Sequence, residues 1–337
     1  MTFQEKNGWN NNEMANVTMA RVENVKTSNR GFLLTCEIRD VPVSFVNGIR
    51  RIILSEIPTV VIQDVQILEN TSQLPHEMLK HRFEMLPINV TPDDAASIRD
   101  GKVELHIIAD KNMDVTTDDF AVQSTHDRIL MRDCDLDTPL LFIRLRQGEK
   151  VHIKGRLALE NRHVSQVCTT TTGWHIDPEL AKTDKKNFVE AGGDPRHFDN
   201  FTIQRSYSRD ARDRPNWFDF SVESVGVLQS KVIFELGLKI LRKKVADYVK
   251  EALENIAREP DDGSYKISLE QGGHTIGALF QEVIYSDKNV EFVSYDILHP
   301  LKNTMVLRFH TKKSPESILK TAKETIEEYC SIVEKVL

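Results

Sequence analysis

The chain's hydrophobic pattern turns on one stretch, where a short striped helix runs into an alternating strand. From Val43 on, Phe45, Ile49, Ile52 and Ile53 recur at i, i+4, i+7 and i+8, a stripe wide enough to bury on a helix. At about 100° per residue Asn47, Arg51 and Leu54 fall on the far side, and an apolar Leu beside an Arg there implies a helix covered on both faces. Pro58 cannot continue the helix and biases Ile57 towards extended geometry. The run VVIQDVQI then reads as a strand, buried at its start and alternating after it. Pattern alone makes this a helix–strand corner of an α+β core.

Upstream, residues 17–39 read as two strands around a Ser-Asn-Arg-Gly turn. After Pro87 the texture changes. Residues 91–214 hold alternating segments such as KVELHIIAD and EKVHIKGRLAL, separated by polar connections that include Thr169–Gly173 and AGGDPRHFDN. A β-rich unit with a long irregular loop is predicted. From Trp217 a strand leads into a long helix with Ser230 as N-cap and Pro260 beyond its end. Its seam is Ile233, Leu236, Ile240, Leu241, Val245, Val249, Leu253 and Ile256. A seam of about 45 Å, at 1.5 Å per residue, needs a partner of similar length.

The remainder reads strand, helix, strand, strand, helix. Ile276, Leu279, Phe280, Val283 and Ile284 stripe the first of these helices. Ile318, Ala322, Ile326, Tyr329 and Val333 stripe the last, which opens on Ser314, Pro315 and Glu316. Without the β-rich unit, this order repeats that of the first part. Two related halves about an approximate two-fold axis are therefore expected, each covering the other's seam.

Composition narrows the function classes. At 337 residues, 40% hydrophobic and 28% charged, the chain can bury a substantial core in two or three domains. Its apolar runs are too short to span a membrane. A net charge of −7 without a long basic block argues against a free-standing nucleic-acid binder. The Asn-rich residues 1–16 lack a signal-peptide pattern and are expected to be a flexible tail. Cys36, Cys134, Cys168 and Cys330 lie far apart with no CxxC, which favours a reducing compartment over a disulfide framework or a Cys-based zinc site.

NGIRRIILSEIP, the strand after it and SQLPHEMLKHRFEMLPI resemble the dimerisation domain of the α-like subunits of cellular RNA polymerases. In that family an Arg-Arg helix precedes Ser-x-x-Pro, a strand, an Asn-containing turn and a helix ending in His-Arg before Leu-Pro; Asn70, His81, Arg82, Leu86 and Pro87 match. LLFIRLRQGEK resembles the family's Leu-Arg-x-Gly-Gln entry into a β-rich insertion, with Glu149 where Gln is usual. FDFSVESVG resembles its return strand through Phe220, Val222, Glu223, Ser224 and Gly226. The C-terminal segment resembles the small partner subunit of the same heterodimer, through His274, Thr275, Gly277, Tyr295, His299, Pro300 and Leu301. Gly273 and Ala278 depart from the usual acid and Asn. A chain carrying both partners resembles the fused form known from large nucleocytoplasmic DNA viruses.

The resemblance implies a non-catalytic platform subunit that holds the largest and second-largest polymerase subunits together, with a small accessory subunit alongside. It implies no cofactor, no direct sequence-specific nucleic-acid binding and no membrane. Some family members carry a zinc loop or an iron–sulfur cluster in the insertion, and this chain lacks the thiolates for either. The expected fold is α+β, with a flexible tail at 1–16, a first dimerisation module from 17–90 and 216–259, a β-rich insertion at 91–215 and a second module at 260–337. The expected internal interface comprises Phe45, Ile49, Ile52, Ile53, Ile233, Leu236, Ile240, Val249, Ile276, Leu279, Phe280, Val283, Ile318, Ile326 and Tyr329. Large-subunit contacts are expected at Asn47, Arg50, Arg51, Leu54, His81, Arg82, His274 and Thr275. The location would be intracellular, in the viral factory cytoplasm or the virion for a viral chain and in the nucleus otherwise.

Two other classes compete. One is a stand-alone adaptor built on the same platform. The other is a metal-dependent hydrolase on Asp133, Asp135 and Asp137, which a strand would set on one face for Mg²⁺ or Ca²⁺. An acidic surface loop is the plainer reading of that run, because no phosphate-cradling glycine loop accompanies it. His274 lacks a nucleophile and an orienting acid, and His76 and His81 are spaced poorly for one metal on a helix.

Overall fold

The computed structural model describes residues 20–337 apart from 124–128, 134–135, 162–167, 271–272, 300 and 337. The tail at 1–16 expected from the sequence lies outside the described residues, as do Cys134, Asp135 and Pro300. Strict alternation in LLTCEIR makes β2 (Leu33–Arg39) a two-faced strand, antiparallel to β1 (Arg21–Ser28), with Leu34, Cys36 and Ile38 turned inward. The striped helix α1 (Val43–Ser55) and strand β3 (Thr59–Asn70) form as the pattern predicts. Then come α2 (His76–Glu84), α3 (Ala95–Asp100), β4 (Lys102–Ile108), β5 (Met113–Thr116), β6 (Ala121–Gln123), β7 (Leu141–Leu145), β8 (Lys150–Glu160) and β9 (Cys168–Trp174). Helices α4 (Pro178–Glu190) and α5 (Pro195–Asn200) precede β10 (Trp217–Ser224) and the long α6 (Ser230–Glu254). The chain continues through β11 (Ile256–Arg258), β12 (Ser264–Leu269), α7 (Gly273–Ile284), β13 (Val290–His299) and β14 (Lys302–Thr311) to α8 (Pro315–Val336).

The sheets run β1-β2-β10-β9, β11-β12-β14-β13, β3-β8-β4-β6 and β5-β7, with antiparallel pairing throughout. Among the described residues two apolar cores form. The larger unites the first two sheets with α1, α6, α7 and α8. The smaller draws on β3, α2 and the strands between residues 102 and 157. Residues 59–90, grouped with 17–57 in the sequence reading, thus send Val60, Leu79 and Phe83 into the smaller core.

Four local expectations are corrected. Thr169–Gly173 is not a connection but the body of β9, paired with β10 from Cys168↔Ser224 to Trp174↔Phe218, because threonine suits a pleated strand. Within AGGDPRHFDN, Asp194 caps α5 through the Arg196 N–H at 2.9 Å, with Pro195 at the first helical position. Ser230 is the first residue of α6 and not its cap, and its hydroxyl donates to the Gly31 carbonyl at 2.8 Å. Finally, α6 stops at Glu254, well before Pro260, because Ile256 leaves the helix to pair with Ile267. At α8, by contrast, Ser314 accepts from the Ser317 N–H at 3.3 Å, the predicted cap.

Candidate functional site

Helix α1 lies at the centre of the larger core, packed on α6, α7 and β9. Its stripe residues Phe45, Ile49, Ile52 and Ile53 are all buried. A Cβ on Gly237 would come within 2.7 Å of Ile53, so a glycine is what lets α6 approach α1 so closely. The rings of Phe45 and Tyr329 are 5.4 Å apart, which links α1 to α8, and those of Tyr248 and Phe280 are 4.6 Å apart, which links α6 to α7. At the surface, Arg242 of α6 pairs with Glu334 of α8 at 2.6 Å, and Lys244 pairs with Glu56 at the end of α1. The long helices also pack on sheets distant in the chain: α8 on β1, and α6 on β12.

Glu282 of α7 forms a polar join in this arrangement. Its Oε2 accepts from the Ser44 N–H at 3.0 Å, one of the amides that the first turn of α1 cannot satisfy internally. Its Oε1 accepts from Arg214 Nη1 at 2.7 Å, and Arg214 is held in turn by Asp210 at 3.0 Å. Sequence reasoning missed Glu282 and Arg214, because an isolated acid on a helix carries no signal of a partner 238 residues away. It also missed Phe234, Leu238 and Tyr248, which are fully or nearly buried. The seam on α6 is wider than the stripe read from its spacing, since the helix meets other helices as well as sheets.

Of the predicted interface residues, Ile233, Val249, Ile276, Leu279, Phe280, Val283, Ile318 and Ile326 are buried in the larger core. Leu236, Ile240 and Tyr329 are half-buried at its edge. Among the predicted outward residues, Asn47, Arg51, His81, Arg82 and His274 are exposed, while Arg50, Leu54 and Thr275 are half-buried. They are carried by three helices, α1, α2 and α7. Arg51 Nε donates to Thr275 Oγ1 at 2.9 Å, joining the outer rims of α1 and α7, and Asn47 accepts from the Arg50 guanidinium at 3.0 and 3.1 Å. His274 sits beside Tyr295, its ring 6.0 Å away. Arg82 is on α2, where its guanidinium donates to the carbonyls of Phe142 at 2.9 Å and Leu141 at 3.4 Å and so ties α2 to β7.

The described residues of the acidic run, Asp133, Leu136 and Asp137, lie outside the strands. The Asp133 N–H donates to the Thr138 carbonyl and the Asp137 N–H to the Asp133 carbonyl, while Asp137 has φ 50°. Asp133 Oδ1 accepts from the Leu136 N–H at 2.8 Å. Asp133 and Asp137 are thus joined by a turn-type hydrogen bond, and the alternative that sets three aspartates on one strand face also involves Asp135, which lies outside the described residues.

Cys36, Cys168 and Cys330 are buried and free. Burial pushes each thiol up to about 12, with Glu37 and Asp219 adding to the effect at Cys36. Because the thiolate is the reactive form, all three should stay unlabelled by iodoacetamide in the folded protein at neutral pH and react fully once it is unfolded. Peptide mass spectrometry checks this, and native labelling of any of the three would contradict their placement.

Comparison with known proteins gives two matches to one family. Residues 35–245 and, separately, residues 264–336 match the family described as the RNA polymerase Rpb3/Rpb11 dimerisation domain. Similar full-length relatives include the DNA-directed RNA polymerase II subunit RPB3 of Schizosaccharomyces pombe, 25% identical over 71% of this chain and 88% of the relative. The DNA-directed RNA polymerase subunit Rpo3 of Pyrococcus furiosus is 27% identical over 64% of this chain and 90% of its own length. Subunit RPAC1 of the DNA-directed RNA polymerases I and III of Saccharomyces cerevisiae is 24% identical over 64% and 82%.

Proposed function

The chain belongs to the RNA polymerase Rpb3/Rpb11 dimerisation-domain family, and from that premise we propose that it is a non-catalytic assembly subunit of a DNA-directed RNA polymerase. It carries both partners of the heterodimer, a first module formed around a β-rich insertion and a second at residues 260–337. The observation that carries the reading is the double family match combined with a single core: segments matched independently contribute α1, α6, α7 and α8 to one apolar interior. Covalent linkage holds the two modules at an effective concentration of about millimolar. Exchange of the long helices, α8 onto β1 and α6 onto β12, supports a pseudo-symmetric pairing.

The chemistry of transcription belongs to the partners. This chain contributes a rigid surface on which the largest and second-largest subunits are brought together, with a small accessory subunit alongside. Arg51, Asn47, Leu54 and Thr275 on the rims of α1 and α7, and His81 on α2, are the residues proposed to meet them. An obligate contact of this kind buries more than about 2,000 Å². The location is intracellular. A viral fused subunit would work in the factory cytoplasm or the virion, and a cellular one in the nucleus.

Purification of the tagged chain from its own cells tests the function. Two very large chains should accompany it stoichiometrically. Arg51→Glu should cut their recovery at least about tenfold while changing stability by no more than about 0.5 kcal/mol, as usual for an exposed position. Wild-type recovery with Arg51→Glu would remove the rim of α1 from the contact, and the absence of large chains would leave the stand-alone adaptor.

A further inference from the structure

On the solvent face of the β1-β2-β10-β9 sheet, Glu37 of β2 and Asp219 of β10 stand directly opposite each other across an antiparallel pair. Like charges in that register oppose strand pairing. A histidine sits beside them: His175, just past the end of β9, brings Nδ1 to 2.8 Å from Asp219 Oδ1. One ligand atom from each of Glu37, His175 and Asp219 lies within 4.8 Å of the others. From this geometry we infer that the three form a site for a divalent transition metal, Zn²⁺ by its mixed imidazole and carboxylate donors.

The donors are held in place by their neighbours. The His175 ring stacks on Trp217 at 4.1 Å, and Trp217 lies under the Arg39 guanidinium at 3.6 Å. Each Glu37 oxygen accepts one hydrogen bond, from Trp217 Nε1 at 3.1 Å and from Asn24 Nδ2 at 2.7 Å, which fixes the carboxylate and leaves its other lone pairs available. Four-coordinate bonds of 2.0–2.1 Å put ligand atoms roughly 3.4 Å apart, so modest side-chain rotations close the triad on the ion. Gly173, opposite Asp219 on its other side, leaves open space above the sheet, and solvent completes the coordination. The ion cancels the facing carboxylates and fixes the point where the chain leaves β9 for α4.

Zn²⁺ alone, titrated into the full chain after chelator treatment and tag removal, tests the assignment by equilibrium dialysis and melting temperature. One saturable equivalent should bind and raise the melting temperature, since an ion that binds only the folded state stabilises it. His175→Gln and Asp219→Asn should each weaken that equivalent at least tenfold, and Asn24→Ala about tenfold through loss of its hydrogen bond to Glu37. Asp219 is largely exposed, so Asp219→Asn decides the matter even if His175→Gln disturbs the stack on Trp217. Absence of a saturable equivalent, or unchanged binding by both ligand variants, overturns the assignment.

Discussion

Phe280→Ala is expected to lower the free energy of unfolding by about 3–5 kcal/mol, the usual cost of emptying a large aromatic site that cannot collapse. Phe280 is fully buried, and its ring lies 4.6 Å from that of Tyr248 on α6. Total stabilities of about 5–15 kcal/mol make this a large fraction of what holds the fold. The mutation sits on α7, between β12 and β13, whereas Trp174 and Trp217 lie in the β1-β2-β10-β9 sheet. If both modules share one core, tryptophan fluorescence and far-UV circular dichroism must shift together to lower denaturant as a single transition. A tryptophan transition left where it was would mean that the modules unfold independently.

Glu282→Ala should cost about 2 kcal/mol. Removing one partner of a buried ion pair costs about 3–5 kcal/mol where the other charge is stranded. Here Arg214 is a third exposed and keeps Asp210, so water and that carboxylate absorb part of the loss. The unsatisfied Ser44 N–H at the start of α1 adds the cost of a missing cap, about 1 kcal/mol. Glu282→Gln retains an oxygen for Ser44 and should lose only about half as much. Denaturant midpoints should therefore rank wild type above Gln above Ala. Equal losses would show that charge alone matters, and no loss would remove the join between α7 and α1.

Stripes at helical spacing made α1, α7 and α8 legible because one face of each helix meets a continuous apolar layer, which leaves a 3.6-residue period in the sequence. The same logic narrowed α6 too far. Leu236 and Ile240 lie on the shoulder of its buried face, whereas Phe234 and Leu238 lie inside it. Cys168–Trp174 was hidden for a different reason. Its threonines are polar in composition but strand-forming, and only the distant β10 supplies a partner. Ile256 has the same ambiguity, since its periodicity continues the helix while its pairing with Ile267 ends it. At the rims, the residue types were legible and their partners were not: Arg51 finds Thr275 and Arg82 finds Phe142 through folding of segments far apart in the chain.

Cutting the polypeptide between its two modules tests the central claim most directly. A protease site placed at Asp261–Asp262, in the exposed turn between β11 and β12, severs the covalent link without touching the shared core. If the chain is two partners clasped through α1, α6, α7 and α8, the fragments should co-elute as a 1:1 complex in native mass spectrometry and still capture the large polymerase chains. Fragments that separate at micromolar concentration under native conditions would contradict it.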